Sequence, residues 1–505
     1  MALEWITRKI VYLNEINNEE VLKEELQSIE IKLKSLTSVE LRNVASNLDF
    51  SRLYCQLTSN HDRDNIEHLC NICSVLFSTL EPSEIYQTHS LELMKNLYHP
   101  DSSVKKLILN EFNKVAEFGI PELLNDIDLL NAIIEQVNNE DLGVANLAAN
   151  VIKKIGKYAN GAKVLYSGKL LRTIAKILSR NDAVSFRIYE AIVDIAKSSK
   201  ESFDISVDSG LLNSLINILE NEDILLQLNA LEAITDLAAC DEGLNYLEQR
   251  EILSEFNKKV SRVHENPLST LLIPGLMKFF GIVAKSRPNE IFAKYPDVVA
   301  ALFDVIDTSE DMVILMNALD TLGYVASSID GKYALDNLGQ PMRRALSKIS
   351  EIIRKMPTEV RLRGLENLAL ILHVDRDKQN NRVLTLTKSW FDSLENNPMD
   401  MIVQLCKQPF PDIKQSSLKI LLEIAMQPWG QHYIAIYPGL IEFLLNRDAE
   451  AFKECKELKY EILKSLASSD SFDSSILLRL NKYVQEGPFH VDADVEVATE
   501  GGAST

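Results

Sequence analysis

The fold is decided by residues Ser167–Ala196, SGKLLRTIAKILSRNDAVSFRIYEAIVDIA, and by a similar stretch at Ser209–Ala238, SGLLNSLINILENEDILLQLNALEAITDLA. The two align without a gap at an offset of 42 residues. Upstream, Leu129–Ile155 fits the same frame at an offset of 41, and downstream Asp311–Ala326 fits at 88, or two repeats of 44. A period of about 40–47 residues without a strand pattern is typical of armadillo and HEAT repeats.

Each repeat has the pattern of two amphipathic helices joined by a polar turn. In the first helix, Leu170, Ile174 and Ile177 recur at spacings of three and four residues, which places them on one helix face. An aspartate recurs where the second helix should begin. A carboxylate at this place stabilises the helix, because it can accept hydrogen bonds from the free backbone N–H groups. These aspartates are Asp101, Asp141, Asp182, Asp223, Asp311 and Asp412.

One helix pair cannot cover both of its apolar faces, so the pairs must stack on one another. The sequence therefore predicts an all-α fold, a HEAT/armadillo-like α-solenoid in which stacked helical hairpins form a superhelix. We expect a single solenoid over residues 1–490, with degenerate capping repeats over residues 1–80. Residues 491–505, VDADVEVATEGGAST, have no helical period and are expected to be an acidic, disordered tail. The period is irregular over residues 256–292 and needs insertions over residues 356–407.

Composition excludes several classes of function. Only 18 of 505 residues are Gly and 15 are Pro, fewer than strands and their turns would use. The net charge of −20 argues against a nucleic-acid partner, because phosphate binding needs a basic surface. The acidic balance leaves open a basic protein partner, although many cytosolic proteins are acidic without one.

The compartment is predicted from cysteine usage and hydropathy. Six cysteines are spread along the chain and do not form the framework of a secreted disulfide protein. No uncharged apolar run approaches the roughly 20 residues that a membrane crossing needs, and the N-terminal stretch resembles an amphipathic helix rather than a signal peptide. We expect a cytosolic protein in a reducing compartment with no membrane partner, and a nuclear location stays open.

The residues that could carry chemistry are few. Cys70 and Cys73, with His61 and His68 nearby, are the best candidates for a metal site, but the second ligand pair of a structural zinc site is missing. Their alternative role is apolar packing, which we favour. Glycine–lysine pairs such as Asp330-Gly-Lys332 lack the spacing of a phosphate loop and are expected to lie at helix caps and turns. We therefore predict that the chain is not an enzyme and has no cofactor, no metal and no small-molecule substrate.

Side chains beyond the apolar stripe of the second helices are candidates for binding a protein. Aromatic and arginine residues are frequent anchors of protein interfaces. The candidates are Phe186, Arg187, Tyr189 and Glu190 in one repeat, and Lys278 and Phe279 in a later one. The alternative for each of them is packing against the next repeat.

Several short segments carry a resemblance to a known family. They are Leu97–Lys105 (LYHPDSSVK), Arg187–Glu190 (RIYE), Ile273–Gly281 (IPGLMKFFG), Gln427–Trp429 (QPW), Tyr437–Phe443 (YPGLIEF), Lys459–Glu461 (KYE) and Glu486–Phe489 (EGPF). In their order and spacing they resemble the 26S proteasome non-ATPase regulatory subunit 5 family, a family of chaperones for assembly of the proteasome base. The resemblance extends over nearly the whole chain and is looser over residues 1–60.

The resemblance implies a function and partners. It implies a solenoid that binds the C-terminal domain of the proteasomal ATPase called regulatory subunit 7. The complex would be a precursor with regulatory subunit 4 and non-ATPase subunit 2, and the chaperone would leave before the mature particle forms. An alternative is another solenoid adaptor or scaffold, in transport or signalling. Only three tryptophans occur, fewer than armadillo carriers of basic peptides commonly place along their binding surface.

Overall fold

The computed structural model describes residues 2–16, 18–60, 62–119, 121–261, 271–447 and 450–490. These residues contain 32 α-helices and no β-strand. The chain divides into two compact units, residues 1–246 and 247–505, and the division falls within helix α17 (Asp241–Gln249). The prediction of an all-α fold is confirmed. The predicted tail at residues 491–505 lies outside the described residues.

The first unit contains sixteen complete helices among its described residues. They are α1 (Ala2–Leu13), α2 (Glu19–Lys34), α3 (Ser38–Asn47), α4 (Ser51–Ser59), α5 (Arg63–Phe77), α6 (Pro82–Asn96), α7 (Ser102–Glu117), α8 (Pro121–Asn125), α9 (Ile127–Gln136), α10 (Leu142–Gly156), α11 (Ala159–Leu165), α12 (Gly168–Leu178), α13 (Asp182–Ala196), α14 (Lys200–Asp208), α15 (Leu211–Asn217) and α16 (Ile224–Leu237).

The second unit continues with the remaining helices. They are α18 (Ile252–Ser261), α19 (Ile273–Ser286), α20 (Pro288–Lys294), α21 (Pro296–Thr308), α22 (Met312–Ala326), α23 (Ile329–Asn337), α24 (Gln340–Lys355), α25 (Thr358–Leu372), α26 (Asn381–Asp392), α27 (Pro398–Cys406), α28 (Pro411–Ala425), α29 (Pro428–Ile436), α30 (Leu440–Leu445), α31 (Lys453–Leu466) and α32 (Ser474–Glu486).

The second helices of successive repeats pack side by side within each unit. In the first unit this row is α7, α10, α13 and α16, and in the second it is α19, α22, α25, α28 and α31. First helices pack in a parallel row, as α9 does on α12 and α21 on α24. Each second helix buries several aliphatic side chains, which contribute to the apolar core of its unit. The stacking that the repeat pattern predicts is therefore present in each unit.

Each regular repeat has a third, short helix that the hairpin prediction missed. These linking helices join a second helix to the next first helix, and they are α11 and α14 in the first unit and α20, α23, α26 and α29 in the second. They are 7–12 residues long, too short for a 3.6-residue period to stand out from the sequence. The repeat is thus of the three-helix, armadillo-like kind.

Glycines lie in linking helices α11, α23 and α29, and in α17, where the chain turns sharply. A Cβ built on Gly161 would lie 1.9 Å from the carbonyl oxygen of Ile155, and one on Gly331 would lie 2.0 Å from that of Val325. Gly243 and Gly430 make the same approach to the end of the preceding second helix. Only a residue without a side chain allows these helices to meet so closely, which explains the glycine of Asp330-Gly-Lys332.

The aspartates predicted to begin the second helices fall into two groups. Four of them occupy the N-cap and accept backbone N–H groups through their side chains: Asp101, Asp141, Asp223 and Asp311. Asp182 is the first residue of α13, whose N-cap is Asn181, and Asp412 is the second residue of α28, which begins at Pro411. Both carboxylates still lie in the first helical turn, where a negative charge is favourable.

Candidate protein-binding face

Most second helices expose an equivalent position, nine residues after the N-cap. In the first unit this position is occupied by Asn110, Asn150, Glu190 and Glu232, all of them exposed. Four residues further on, on the same helix face, stand Lys114, Lys154, Asp194 and Asp236. The exposed face of the first unit therefore changes from amide and lysine side chains on α7 and α10 to carboxylates on α13 and α16.

A groove lies on this face between α10, α13 and α16. It has a volume of about 400 Å³. Its walls include Phe186, Asn229 and Lys153 together with four carboxylates, those of Glu190, Asp194, Glu232 and Asp236. We call this the acidic groove.

The acidic groove contains more negative than positive charge. Nζ of Lys153 donates a hydrogen bond to Asp194 at 2.8 Å, and among the described residues that line the groove Lys153 is the basic one. Phe186 is half-buried beside these groups, with its ring centroid 6.0 Å from that of Tyr189. An aromatic face next to unbalanced carboxylates suits a guanidinium or ammonium group, which both surfaces attract.

The candidate contact residues of the first unit lie in different environments. Phe186 and Glu190 line the acidic groove. Arg187 instead connects two repeats, because it donates to the side-chain oxygen of Asn146 at 3.1 Å and to the carbonyl oxygen of Val137 at 2.9 Å. Phe186 and Glu190 thus stay predictions as contact residues, while Arg187 already has two intramolecular acceptors.

Tyr189 does not belong to the exposed face. It is only 5% exposed, and its hydroxyl lies 3.0 Å from Oγ of Ser214 on α15 of the next repeat. Burial raises the pKa of the Tyr189 hydroxyl. The expectation of an exposed anchor is wrong for this residue, because a second helix is covered by its own first helix and by both neighbouring repeats, which bury more than one stripe.

Of the two candidate residues in the second unit, Lys278 and Phe279, one is exposed and the other is buried. Lys278 is exposed on α19. Phe279 is completely buried, and its ring centroid lies 5.1 Å from that of Phe256 and 5.3 Å from that of Phe280. The edge-on arrangement of these rings is favourable inside a protein core, so Phe279 is a packing residue and the expectation of an exposed anchor is wrong here too.

The second-helix face of the second unit has another character. The position nine residues after the N-cap is occupied by Asp320, Glu366, Lys419 and Glu461. Four residues later the first two of these helices place Tyr324 and Leu370, each 39% exposed. Nζ of Lys285 lies 4.1 Å from the centre of the Tyr324 ring, so this face adds apolar and cationic groups to its carboxylates.

Carboxylates of the acidic groove that the sequence prediction missed could have been found from the repeat itself. At the offset of 42 residues, Glu190 matches Glu232 and Asp194 matches Asp236. Two exposed carboxylates that recur at the same helical positions in successive repeats must lie side by side once the helices stack.

The other sites considered in the sequence are packing sites where the structure describes them. Cys70 and Cys73 are buried in α5, and burial raises the pKa of Cys70 to about 12. His68 lies 2.8 Å from a carboxylate oxygen of Glu30, and His61 lies outside the described residues. Within the described ranges no group of three or more His, Cys, Asp or Glu side chains could hold a metal ion.

No single helix in the described part of the chain is long and apolar enough to cross a bilayer. Met312–Ala326 and Ile329–Asn337 reach that length and composition only together, and they are bent by 114° with respect to each other.

Comparison with solved structures shows the fold. Yeast importin-beta (Kap95p) is similar with a TM-score of 0.60 and 11% sequence identity, over 94% of this chain and 58% of that one. A Kap121p mutant is similar with a TM-score of 0.57 and 13% identity, over 92% of this chain and 46% of that one. These likenesses confirm the helical-repeat solenoid class, and this chain spans about half the length of each protein.

Comparison of sequences shows the family. The human 26S proteasome non-ATPase regulatory subunit 5 is 32% identical over 499 residues, which cover 97% of this chain and 99% of the human protein. Its counterpart in Drosophila melanogaster is 29% identical over 414 residues, covering 81% and 80% of the two chains. A family model described as "Proteasome non-ATPase 26S subunit" matches residues 4–504. This chain belongs to the proteasome non-ATPase 26S subunit family.

Proposed function

We propose that this protein is an assembly chaperone for the base of the 26S proteasome regulatory particle. The observation that supports the proposal most is identity of 32% along nearly the full length of a regulatory subunit 5, which gives the chain a proteasome-related role. In this proposal the protein is not an enzyme and acts by covering a surface of its partner until the next subunits arrive.

The proposed partner is the C-terminal domain of the ATPase called regulatory subunit 7. It would be bound in a precursor that also contains regulatory subunit 4 and non-ATPase subunit 2, and the chaperone would dissociate before the mature particle forms. The proposed place of action is the cytosol, with the nucleus as a second location. Rows of exposed second-helix residues support a protein partner, since each residue of such a row comes from a rigid helix.

The acidic groove is the proposed contact surface. Its carboxylates stand on two neighbouring helices, and Phe186 offers an aromatic face beside them. Complementary charge at an interface accelerates association and selects the partner. A basic surface on the ATPase domain would therefore be favoured by this part of the first unit.

The experiment is a binding measurement between the full chain and the purified C-terminal domain of each proteasomal ATPase. We expect one stable complex, with regulatory subunit 7, and no complex with the others. Pull-down from cells followed by mass spectrometry should recover regulatory subunits 7 and 4 and non-ATPase subunit 2 without the mature particle. Recovery of mature particles only, or of no proteasomal ATPase, would contradict the chaperone function.

Charge reversal locates the surface. The double variant E190K/E232K should weaken the complex by at least about tenfold, because attraction becomes repulsion at the centre of the acidic groove. The matched control is E366K/E461K, which reverses two exposed charges at the same helical position in the second unit. Equal losses in both variants would move the contact away from the acidic groove without disproving the complex.

A further inference from the structure

Lys332 is the most deeply buried basic side chain in the described part of the second unit. It lies on linking helix α23 and is 0% exposed. Its Nζ donates to the carbonyl oxygen of Ala326, at the end of α22, and to that of Ile371, at 2.8 Å in the last turn of α25. A third acceptor is the carbonyl oxygen of Leu370 at 3.3 Å. One side chain thus connects the C-terminal ends of two successive second helices.

The environment of Lys332 has two opposing effects on the pKa of its ammonium group. The C-terminal ends of helices carry partial negative charge and favour an ammonium group, and three acceptors match its three N–H donors. Loss of hydration disfavours the same charge. Burial is the larger effect and lowers the pKa of Lys332 to about 7, against the opposing influence of the Glu423 carboxylate.

The other charged groups on the surrounding elements have partners of their own. On α20, Lys294 bonds Glu290 at 2.5 Å. On α19 and α26, Lys285 lies over the Tyr324 ring and Arg382 over the Tyr333 ring. Asp320 on α22 accepts from Asn367 at 2.7 Å, and His373, directly after α25, lies 2.8 Å from Glu423. Among the described residues, Glu423 is the charged group that acts on Lys332, and its negative charge raises the pKa of the lysine.

Two repeats further along the chain, a side chain that does not titrate makes the corresponding contact. Gln431 occupies the equivalent place on α29, one residue after the close-packed Gly430, as Lys332 follows Gly331. Its side-chain amide donates to the carbonyl oxygen of Ala425, at the end of α28, at 3.0 Å. A neutral donor is therefore sufficient to cap a second helix from this position, and the lysine of α23 adds a proton equilibrium to the joint.

We infer that Lys332 makes the joint between α22, α23 and α25 proton-linked, so that lowering the pH from 8 to 6 favours local opening of this joint. Opening hydrates the side chain, and a hydrated lysine keeps its proton up to a pH of about 10.4. The closed joint gives up that proton near pH 7. Because the open form binds more protons than the closed form above pH 7, raising the pH favours the closed form.

Hydrogen exchange of the full chain tests this inference. Amide exchange of residues 329–337 and 366–372 is measured at pH 6 and pH 8 and corrected for the intrinsic rate. Between these two pH values the opening equilibrium of the wild-type joint should fall by about tenfold. In the K332Q variant, whose side chain copies the Gln431 arrangement, opening should not depend on pH.

Two further variants separate the inference from general effects of pH. K163Q removes an exposed lysine from linking helix α11 and should keep the tenfold dependence. H373Q removes a group whose pKa is raised by Glu423, which would give a dependence of the opposite sign, and should also keep it. The inference fails if the wild-type joint opens equally at both pH values, or if K332Q keeps the dependence; the wild-type measurement alone decides the matter if K332Q does not fold.

Discussion

The two units present different residues on the same scaffold. Nine and thirteen residues after the N-cap, α13 and α16 of the first unit place only carboxylates, whereas α22 and α25 of the second place a carboxylate followed by an exposed Tyr324 or Leu370. The buried positions of these helices are mostly aliphatic in both units. The comparison teaches that burial fixes the helices and their spacing, while two exposed positions per repeat are free to specify what each unit contacts.

The largest expected difference between the units concerns the two phenylalanines that the sequence pattern treated alike. Phe279→Ala should destabilise the second unit by about 4 kcal/mol, because a fully buried aromatic ring leaves a cavity. Phe186→Ala should cost about 1 kcal/mol or less, since its ring is half exposed. Urea unfolding followed by circular dichroism measures both. Similar losses for the two variants would show that the first-unit face is packed and not open to a partner.

The linking-helix glycines should behave alike in both units. Gly161→Ala and Gly331→Ala should each cost about 2–3 kcal/mol, because the added Cβ would meet a backbone carbonyl oxygen that cannot move away independently. Asn160→Ala, at an exposed position of the same helix as Gly161, is the control and should change stability by about 0.5 kcal/mol or less. If one of the two glycine variants does not change the stability, the linking helices of the two units are not equivalent. The two units would then not share the same scaffold at this position.

The scaffold could be predicted from the sequence because its signal is repeated. The offset of 42 residues and the N-cap aspartates recur in several repeats, so an error in one of them does not change the conclusion. The linking helices could not be predicted, because a segment as short as Ala159–Leu165 gains its helical form from packing on its neighbours. Gly331, which was expected at a helix cap or turn, lies inside linking helix α23.

The candidate site was predicted less well, because exposure depends on the neighbouring repeats. Tyr189 and Phe279 lie beside the apolar stripe of their helices in the sequence, and the adjacent repeats cover both of them. Glu190 remained exposed because charge prevents its burial without a partner. The paired carboxylates Glu232 and Asp236 were visible as a repeat of charge, which is a more direct sign of a shared face than an isolated aromatic residue.

The salt dependence of binding should show which unit contacts the regulatory subunit 7 domain. E190Q/D236N removes two groove carboxylates and should weaken the complex by about tenfold at low ionic strength, and by much less at high salt, where exposed charges are screened. Y324A/L370A removes the exposed apolar pair of the second unit and should leave the affinity unchanged. Calorimetry at two salt concentrations measures both. A larger and salt-independent loss in Y324A/L370A would assign the contact to the second unit.

The smallest expected effect concerns a histidine at the end of α25. His373 lies between Glu423, at 2.8 Å, and Asp375, at 3.1 Å, and its hydrogen bond to Glu423 raises its pKa. The protonated form therefore stabilises the fold, fully below the ordinary histidine pKa of about 6.5, and this stabilisation is lost as the pH rises through the raised value. Because the side chain is 36% exposed, H373Q should lower the free energy of unfolding by about 0.5 kcal/mol at pH 6 and by less at pH 8.5. His432, an exposed histidine of α29, provides the control variant H432Q. A loss in H373Q that stays constant across this range would mean that the imidazole acts by packing, and the second unit would then have one proton-linked position, Lys332, in this region instead of two.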